Sequence, residues 1–234
     1  MVESTLELPK GDYLLYEMYV TDGAKVTVAA GTTLLATEDA YLYVEGELCL
    51  AGTEEEKIEV TPCMDSRTQM WKGVSVAEGA IFEAYYTKIK NAAGPEYLLT
   101  NNRITDDTPG GVNIYGHAVF EYCDVVSEVY LDYKVVMVVN ETGTLVFSNS
   151  EIMCGTVGMI VKSVMGAVII ENSGFNVSYE AVYVKQSGTA SLIINENEVK
   201  GGGETIIDVV SLGSGKLEIM ENLIKVGFML FQLI

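Results

Sequence analysis

The sequence has few metal-ligating side chains. It contains a single histidine, His117, and none of its four cysteines forms a Cys-x-x-Cys pair. Structural zinc sites are built from cysteine and histidine at short spacings, so no metal site is predicted. We expect Cys49, Cys63, Cys123 and Cys154 to be unpaired thiols, and the sequence leaves their disulfide status open.

Positive charge is also scarce. The chain has 14 Lys and Arg against 33 Asp and Glu, a formal net charge of −19. A field of that sign repels phosphate backbones and anionic lipid headgroups, which argues against nucleic acid and membrane surfaces as partners. The apolar run GFMLFQLI at 227–234 is too short to span a bilayer. The N-terminal MVESTLELPK does not resemble a signal peptide, so we expect a mature extracellular chain or an intracellular one.

An octamer recurs in the C-terminal half, at 145–152, 168–175, 192–199 and 217–224. Each copy has apolar residues at alternate positions around a small polar residue, a pattern typical of two short strands joined at a bend. The polar residues are Ser150, Ser173, Asn197 and Asn222. No segment shows a sustained helical period, so each repeat is predicted to be one coil of a solenoid. We expect the four polar side chains to form a hydrogen-bonded ladder rather than to bind a ligand.

A second set of apolar positions repeats in step with the octamer. At a spacing of 23 residues stand Met159, Val182, Thr205 and Phe228, and likewise Val161, Val184, Ile207 and Leu230. Upstream, the segments 82–89 and 118–125 fit the octamer, but Thr87 and Cys123 lie 36 residues apart. Because this spacing is longer than one repeat, the additional residues are assigned to a loop over 94–116 that departs from the regular wall of strands.

The first third of the chain carries a more specific set of motifs. Its members are Gly23, Val26, Thr27, Val28, Gly31 and Thr32, then Leu42, Val44, Gly46 and Leu48, then Ala51, Gly52, Thr53, Ile58, Val60, Thr61, Trp71, Gly73 and Val74. The glycines at 23, 31, 46 and 52 are predicted at corners that need a positive φ or close backbone stacking. This set resembles the opening coils of right-handed parallel β-helix repeat proteins of the pectate-lyase-like superfamily.

The resemblance implies a right-handed solenoid with three short parallel sheets, often extracellular or on a cell surface. It does not imply an activity, because that superfamily includes lyases, hydrolases, adhesins and purely structural parts. With the repeats, it predicts one all-β domain over 1–234, a right-handed parallel β-helix of about nine to ten coils.

The predicted outer face of the first strand is apolar on four coils. The outward residues are Val119, Val146, Ile169 and Ile193, and Glu218 takes this position in the last coil. A strand that is apolar on both faces is normally covered. We therefore expect either the 94–116 loop or a second subunit on this face. Because neither end has a polar cap in the sequence, self-association, or another domain or chain at the C-terminal end, is also expected.

Candidate catalytic residues come from the same resemblance. Lyases of this fold use an Arg or Lys base with calcium, and the hydrolases use two or three Asp residues on adjacent coils. The residues that fit are Arg103, Asp106, Asp107 and His117. The chain lacks the Asn-Thr-Asp, Gly-His-Gly and Arg-Ile-Lys elements of polygalacturonase-type hydrolases. No cofactor is predicted, and calcium at the Asp pair is the one weak candidate; the same residues also fit an ordinary turn.

The sequence is compatible with two functions. The favoured one is a non-catalytic extracellular or surface-associated scaffold or adhesion-type protein that makes lateral or end-to-end contacts. The alternative is a carbohydrate-active protein with its site near 101–117: a polysaccharide lyase, a glycoside hydrolase or a glycan-binding module. Twelve of the 14 tyrosines lie in the first 133 residues. Their rings suit stacking on a polysaccharide and suit strand packing equally well.

Overall fold

The computed structural model describes residues 1–64, 69–93, 110–128, 135–153, 156–162, 165–186, 188–201, 207–211, 214–225 and 232–233. In these ranges the regular secondary structure consists of β-strands, and the strands of successive coils pair in parallel. No helix in the described part of the chain is long and apolar enough to cross a membrane. The predicted all-β parallel solenoid is therefore confirmed.

Three walls surround one core. The first wall is a sheet of nine parallel strands. These strands are Leu6–Leu8 (β1), Lys25–Ala29 (β3), Glu47–Ala51 (β5), Ile81–Tyr85 (β8), His117–Glu121 (β11), Thr144–Ser148 (β14), Ala167–Glu171 (β17), Ser191–Asn195 (β20) and Leu217–Met220 (β23).

The second and third walls form one continuous sheet. They are joined because two long strands, Asp12–Val20 (β2) and Thr33–Val44 (β4), run through both walls. The second wall continues with Ile58–Pro62 (β6), Thr87–Lys90 (β9), Asp124–Val126 (β12), Glu151–Met153 (β15), Gly174–Val177 (β18), Glu198–Gly201 (β21) and Leu223–Lys225 (β24). The third wall continues with Gly73–Val76 (β7), Val112–Ile114 (β10), Val135–Val139 (β13), Val157–Val161 (β16), Glu180–Gln186 (β19), Ile207–Ser211 (β22) and Gln232–Leu233 (β25).

The number of regular coils is slightly lower than predicted. The described strands from β5 onward make about seven turns with one separate strand in each wall. In the two N-terminal coils, β2 and β4 each serve two walls. Dividing chain length by the repeat period gave nine to ten coils because it also counted these merged coils and the residues inserted between regular strands.

The predicted register of the first and second walls is correct. Leu145 pairs with Val168, and Ala118 pairs with Phe82 although the two residues lie in segments with an irregular spacing. These four side chains are at most 1% exposed. Four inward phenylalanines on successive coils, Phe82, Phe120, Phe147 and Phe175, contact one another with tilted rings whose centroids are 5.4–6.1 Å apart. Alternation of apolar residues was sufficient to identify the inward face because the inward positions of these strands are apolar on every coil.

One predicted column of the third wall is wrong by two residues. Val161 pairs with Val184 as predicted, but Val184 pairs with Val209 in the next coil, and Ile207 pairs with Val182. The prediction assumed a constant period of 23 residues, whereas this coil is two residues longer. Thr205, Phe228 and Leu230, which were assigned to the same columns, lie outside the described residues.

The interval 94–116 contains a strand of the third wall. Val112–Ile114 pairs with β7 on one side and β13 on the other. Asn113 lies between its two inward residues, and its side chain accepts the Gly110 N–H at 2.9 Å and donates to the Gly110 carbonyl at 2.7 Å. Residues 110–116 therefore belong to the coil rather than to a loop, and residues 94–109 lie outside the described part.

Each described corner between the first and second walls from β8 onward contains a left-handed residue. These are Tyr86, Tyr122, Asn149, Asn172, Glu196 and Glu221, with φ between 44° and 56°. Such a φ is costly for residues other than glycine and persists only where the surroundings enforce it. In the N-terminal coils, glycines serve at corners as predicted: Gly23 has φ of 75°, and a Cβ on Gly46 would lie 2.3 Å from the Ala24 carbonyl oxygen.

The residue after each of the last four left-handed corners contributes to a ladder of hydrogen bonds. Ser150 Oγ accepts the Cys123 N–H at 2.9 Å, and Ser173 Oγ accepts the Ser150 N–H at 3.2 Å. Asn197 Oδ1 accepts the Ser173 N–H at 2.9 Å, and Asn222 Oδ1 accepts the Asn197 N–H at 3.0 Å. The ladder satisfies buried backbone donors at the positions where the chain turns out of one sheet and into the next.

The ladder generates a prediction at Asn197, which is 2% exposed. Replacing Asn197 by Ala removes the acceptor of the Ser173 N–H and a side-chain donor to the Ile170 carbonyl. We expect the free energy of unfolding to fall by about 1–3 kcal/mol, the cost of one buried donor without an acceptor. Denaturant unfolding of the purified chain measures this loss.

Two control variants separate the ladder from other effects. Asn197→Ser keeps an acceptor of the kind found at Ser150 and Ser173, so we expect it to retain much of the lost stability. Asn176→Ala, at an exposed position of β18, should change stability by less than about 0.5 kcal/mol. Equal losses for Asn197→Ser and Asn197→Ala would show that packing volume, and not the ladder, stabilises this corner.

Candidate functional site

Of the predicted catalytic residues, His117 is the one that the described part contains. It is exposed at the start of β11, and its Nδ1 lies 2.7 Å from Thr144 Oγ of the next coil. A cleft of about 300 Å³ beside it is also lined by Glu78, Tyr115 and Thr142. Glycoside hydrolysis generally requires two carboxyl groups, and the described lining contributes one. Arg103, Asp106 and Asp107 lie outside the described residues, so their roles and the calcium hypothesis stay predictions.

The outer face of the first wall carries the predicted apolar column. Val119, Val146, Ile169 and Ile193 pair in register on four successive coils, and each is partly exposed. At the strand spacing of parallel sheets, this column is about 14 Å long. We call these four residues the apolar stripe.

Charged residues end the stripe at both extremities. Glu83 pairs with Val119 at one end, and Glu218 pairs with Ile193 at the other. Glu218 is in turn 2.7 Å from the Lys216 ammonium group. The stripe is therefore a finite apolar column that a carboxylate limits at each end.

The two flanks of the stripe differ in charge. Along the side where the strands end, the outward positions include Glu121 and Glu171, each in register with a neighbouring serine or asparagine. Along the side where the strands begin, they are His117, Thr144, Ala167 and Ser191. One flank thus carries carboxylates, and the other offers hydroxyl and imidazole groups.

A second buried cluster lies on the outer face of the third wall, where the sequence analysis expected none. Val138 and Ile160 alternate with inward residues, yet each is 1% exposed, and they pack with Val135 and Val157. The cluster is separate from the central core. A signal was present in the sequence, because the runs VVMVV and VGMIV are continuously apolar, as in strands buried on both faces.

An acidic pair adjoins this second cluster. Glu180 pairs with Val157, and Tyr183, which packs against the cluster, pairs with Asp208 of the next coil. Burial raises the pKa of the Glu180 carboxyl to about 7, and the charge of Asp208 adds to the rise. One carboxylate oxygen of Asp208 is buried and has no hydrogen-bond partner among the described residues. The pair places a carboxyl that is protonated near neutrality beside a second acid.

Three tyrosines form a groove on the third wall at the N-terminal coils. Tyr19 of β2 and Tyr43 of β4 stack with ring centroids 4.9 Å apart, and Tyr41 lies 5.9 Å from Tyr43. The groove has a volume of about 330 Å³ and is also lined by Glu17 and Met18. We call these five residues the tyrosine groove.

The strand pairing defines the class of this protein: it is a parallel β-solenoid. No family model and no curated protein matches the chain. Among solved structures, the Streptococcus pneumoniae surface protein and adhesin PfbA is similar over 97% of this chain and 91% of its own, with 7% identity and a TM-score of 0.31. At that distance the similarity supports no conclusion about function, and membership of the pectate-lyase-like superfamily stays a prediction.

The acidic pair predicts how stability depends on pH. An unfolded glutamate titrates near about 4.3, whereas Glu180 in the folded chain titrates at about 7. Between these values the folded state holds the extra proton, so the free energy of unfolding falls as pH rises towards 7 and is level above it. Because Glu180 is only partly buried, we expect about 1 kcal/mol of this effect to remain after solvent screening.

Glu180→Gln removes the titration and keeps the shape of the side chain. We expect it to raise the melting temperature by about 2–4 °C at pH 8 and to leave it unchanged at pH 4, where both side chains are neutral. Glu141→Gln, at an exposed corner, is the control and should show no such pH-dependent difference. Thermal melts of all three proteins at both pH values test this, and equal melting temperatures at pH 8 would contradict it.

Proposed function

We propose that this chain is a non-catalytic scaffold or adhesion-type solenoid, extracellular or surface-associated, that makes lateral contacts through the outer face of its first wall. The observation that supports the proposal is the apolar stripe. Its four side chains, Val119, Val146, Ile169 and Ile193, are aligned on successive coils and keep part of their surface exposed. The sequence resemblance supports a location outside the cell.

The occupant we propose is a second copy of the chain. When two such walls meet face to face with their strands antiparallel, each coil faces its equivalent, and the flank where strands begin meets the flank where they end. Glu121 of one copy then faces the side of the other that carries His117 instead of facing another carboxylate. Flat apolar faces that join equivalent surfaces are the usual basis of two-fold dimers.

The charges at the extremities of the stripe set the register of this pairing. In the arrangement described, Glu83 and Glu218 lie at the rim, where water and salt screen their like charges. A shift of one copy along the axis by one coil would place a carboxylate against an aliphatic side chain and remove it from water. Burial of an unpaired charge is costly, so the pairing with equivalent coils opposed is the favoured one.

The carbohydrate-active alternative near 101–117 has less support. It requires several convergent groups on neighbouring coils, and its support is the sequence resemblance, because Arg103, Asp106 and Asp107 lie outside the described residues. The contact of His117 with Thr144 accounts for its position without a catalytic role.

Two charge substitutions in the stripe test the proposal. We expect Ile169→Glu combined with Ile193→Glu to convert a dimer to a monomer, because four carboxylates would then meet inside an apolar interface. The coil should stay folded, since both side chains point outward. Light scattering gives the mass, and circular dichroism with a thermal melt checks the fold.

The matched control places the same two charges elsewhere on the same wall. Thr27→Glu with Ala29→Glu changes two outward, partly exposed positions of β3, outside the stripe. We expect this variant to keep the mass of the parent. A monomeric parent, or dissociation by both double variants alike, would refute the proposed interface.

A further inference from the structure

The tyrosine groove has no part in the lateral contact, because it lies on a different wall. Its rings project outward: Tyr19, Tyr41 and Tyr43 precede or follow the fully buried Val20, Leu42 and Val44 in strict alternation. Tyrosines that served only to fill the core would point to the other face. Core packing therefore does not explain why three outward tyrosine rings lie together on two adjacent coils.

In the pairing of β2 with β4, one tyrosine ring has no aromatic partner at the same position on the neighbouring coil. Tyr19 is in register with Tyr43, and the two rings cover each other. Tyr41 is in register with Glu17 instead, and on the other side with Gly73, which has no side chain. The groove thus has one unstacked ring, Tyr41, beside a wall made of two stacked rings.

Polar side chains lie beside two of the phenol groups of the groove. The neighbouring Glu45 carboxylate raises the pKa of Tyr19 to about 12. Burial raises the pKa of Tyr41, and the neighbouring Ser75 partly offsets that rise. Both phenols therefore stay neutral hydroxyl groups at physiological pH. The Glu17 carboxylate is exposed and remains available as an acceptor.

The chemistry of this lining favours one class of ligand. A sugar ring presents a face of C–H groups that packs on an aromatic ring and hydroxyl groups that bind carboxylates. The volume of about 330 Å³ lies at the lower end of the range of about 300–1,000 Å³ typical of small-molecule sites. The described lining contains a carboxylate and no basic group, and the net charge is −19, so phosphorylated and uronic-acid ligands are repelled.

We infer that the tyrosine groove binds an uncharged sugar residue, with Tyr41 as the stacking platform, the Tyr19–Tyr43 pair as a side wall and Glu17 as a hydroxyl acceptor. This function is additional to the proposed lateral contact. Either one can fail without the other, because the stripe and the groove share no residue.

Titration calorimetry of the full chain tests the inference with trisaccharides of glucose, mannose, xylose and N-acetylglucosamine as probes. Trigalacturonate is the acidic control, and tetramethylammonium is the control for a cation that binds aromatic rings. We expect at least one uncharged trisaccharide to bind and neither control to do so. Absence of binding by every uncharged trisaccharide, or binding of either control with equal or higher affinity, overturns the inference.

Variants then assign the binding to the groove. Tyr41→Ala should weaken it about tenfold, the equivalent of about 1.4 kcal/mol, whereas Tyr41→Phe keeps the ring and should retain most of it. Glu17→Gln, at an exposed position, should weaken binding without affecting the fold. Tyr122→Ala is the matched control, because Tyr122 stacks on Tyr86 with centroids 4.6 Å apart on another part of the solenoid. If Tyr122→Ala and Tyr41→Ala have the same effect, or Glu17→Gln and Tyr41→Ala have none, the groove is not the site.

Discussion

The structure depends on coils stacking in register, because every wall strand obtains its hydrogen bonds from the coils above and below it. A strand of three to five residues is too short to be stable alone, so the corners must bring each coil back to the same height. A left-handed residue followed by a polar ladder residue does this from Asn149 to Asn222. The ladder atoms replace the sheet bonds that the corner interrupts, and the core side chains are thereby held in continuous columns.

The sequence predicted most of the fold because burial leaves a periodic record. Leu145, Val168 and Leu192 are apolar for one reason, their shared place inside the solenoid. The errors arise where this record is ambiguous. Val184 could be aligned with Ile207 or Val209, since both are apolar and two residues apart, and two residues is the period of a strand. The apolar periodicity does not show whether the chain ends one strand and begins another between two walls or continues as a single strand, as β4 does.

The outer surfaces were harder to predict for a related reason. Outward side chains interact with whatever lies beyond the wall, and periodicity does not show what that is. The apolar stripe could be identified as a column but not as covered or open. Val138 and Ile160 are more deeply buried than the stripe, and the continuously apolar runs of their strands are the signal that indicated it. The tyrosine groove requires Tyr19 to meet Tyr43 across a coil, and only the register of β2 with β4 establishes that contact.

A solenoid converts any residue repeated at one position into a surface that runs along its axis, so the limits of a surface matter as much as its content. Glu83 and Glu218 limit the length of the apolar stripe along the solenoid axis. The Tyr19–Tyr43 stack likewise ends where Ser75 follows in the next coil. Such interruptions cost little, because an outward position does not affect the core. They divide a repetitive fold into separate patches, and each patch can then acquire a partner without changing the coils that carry it.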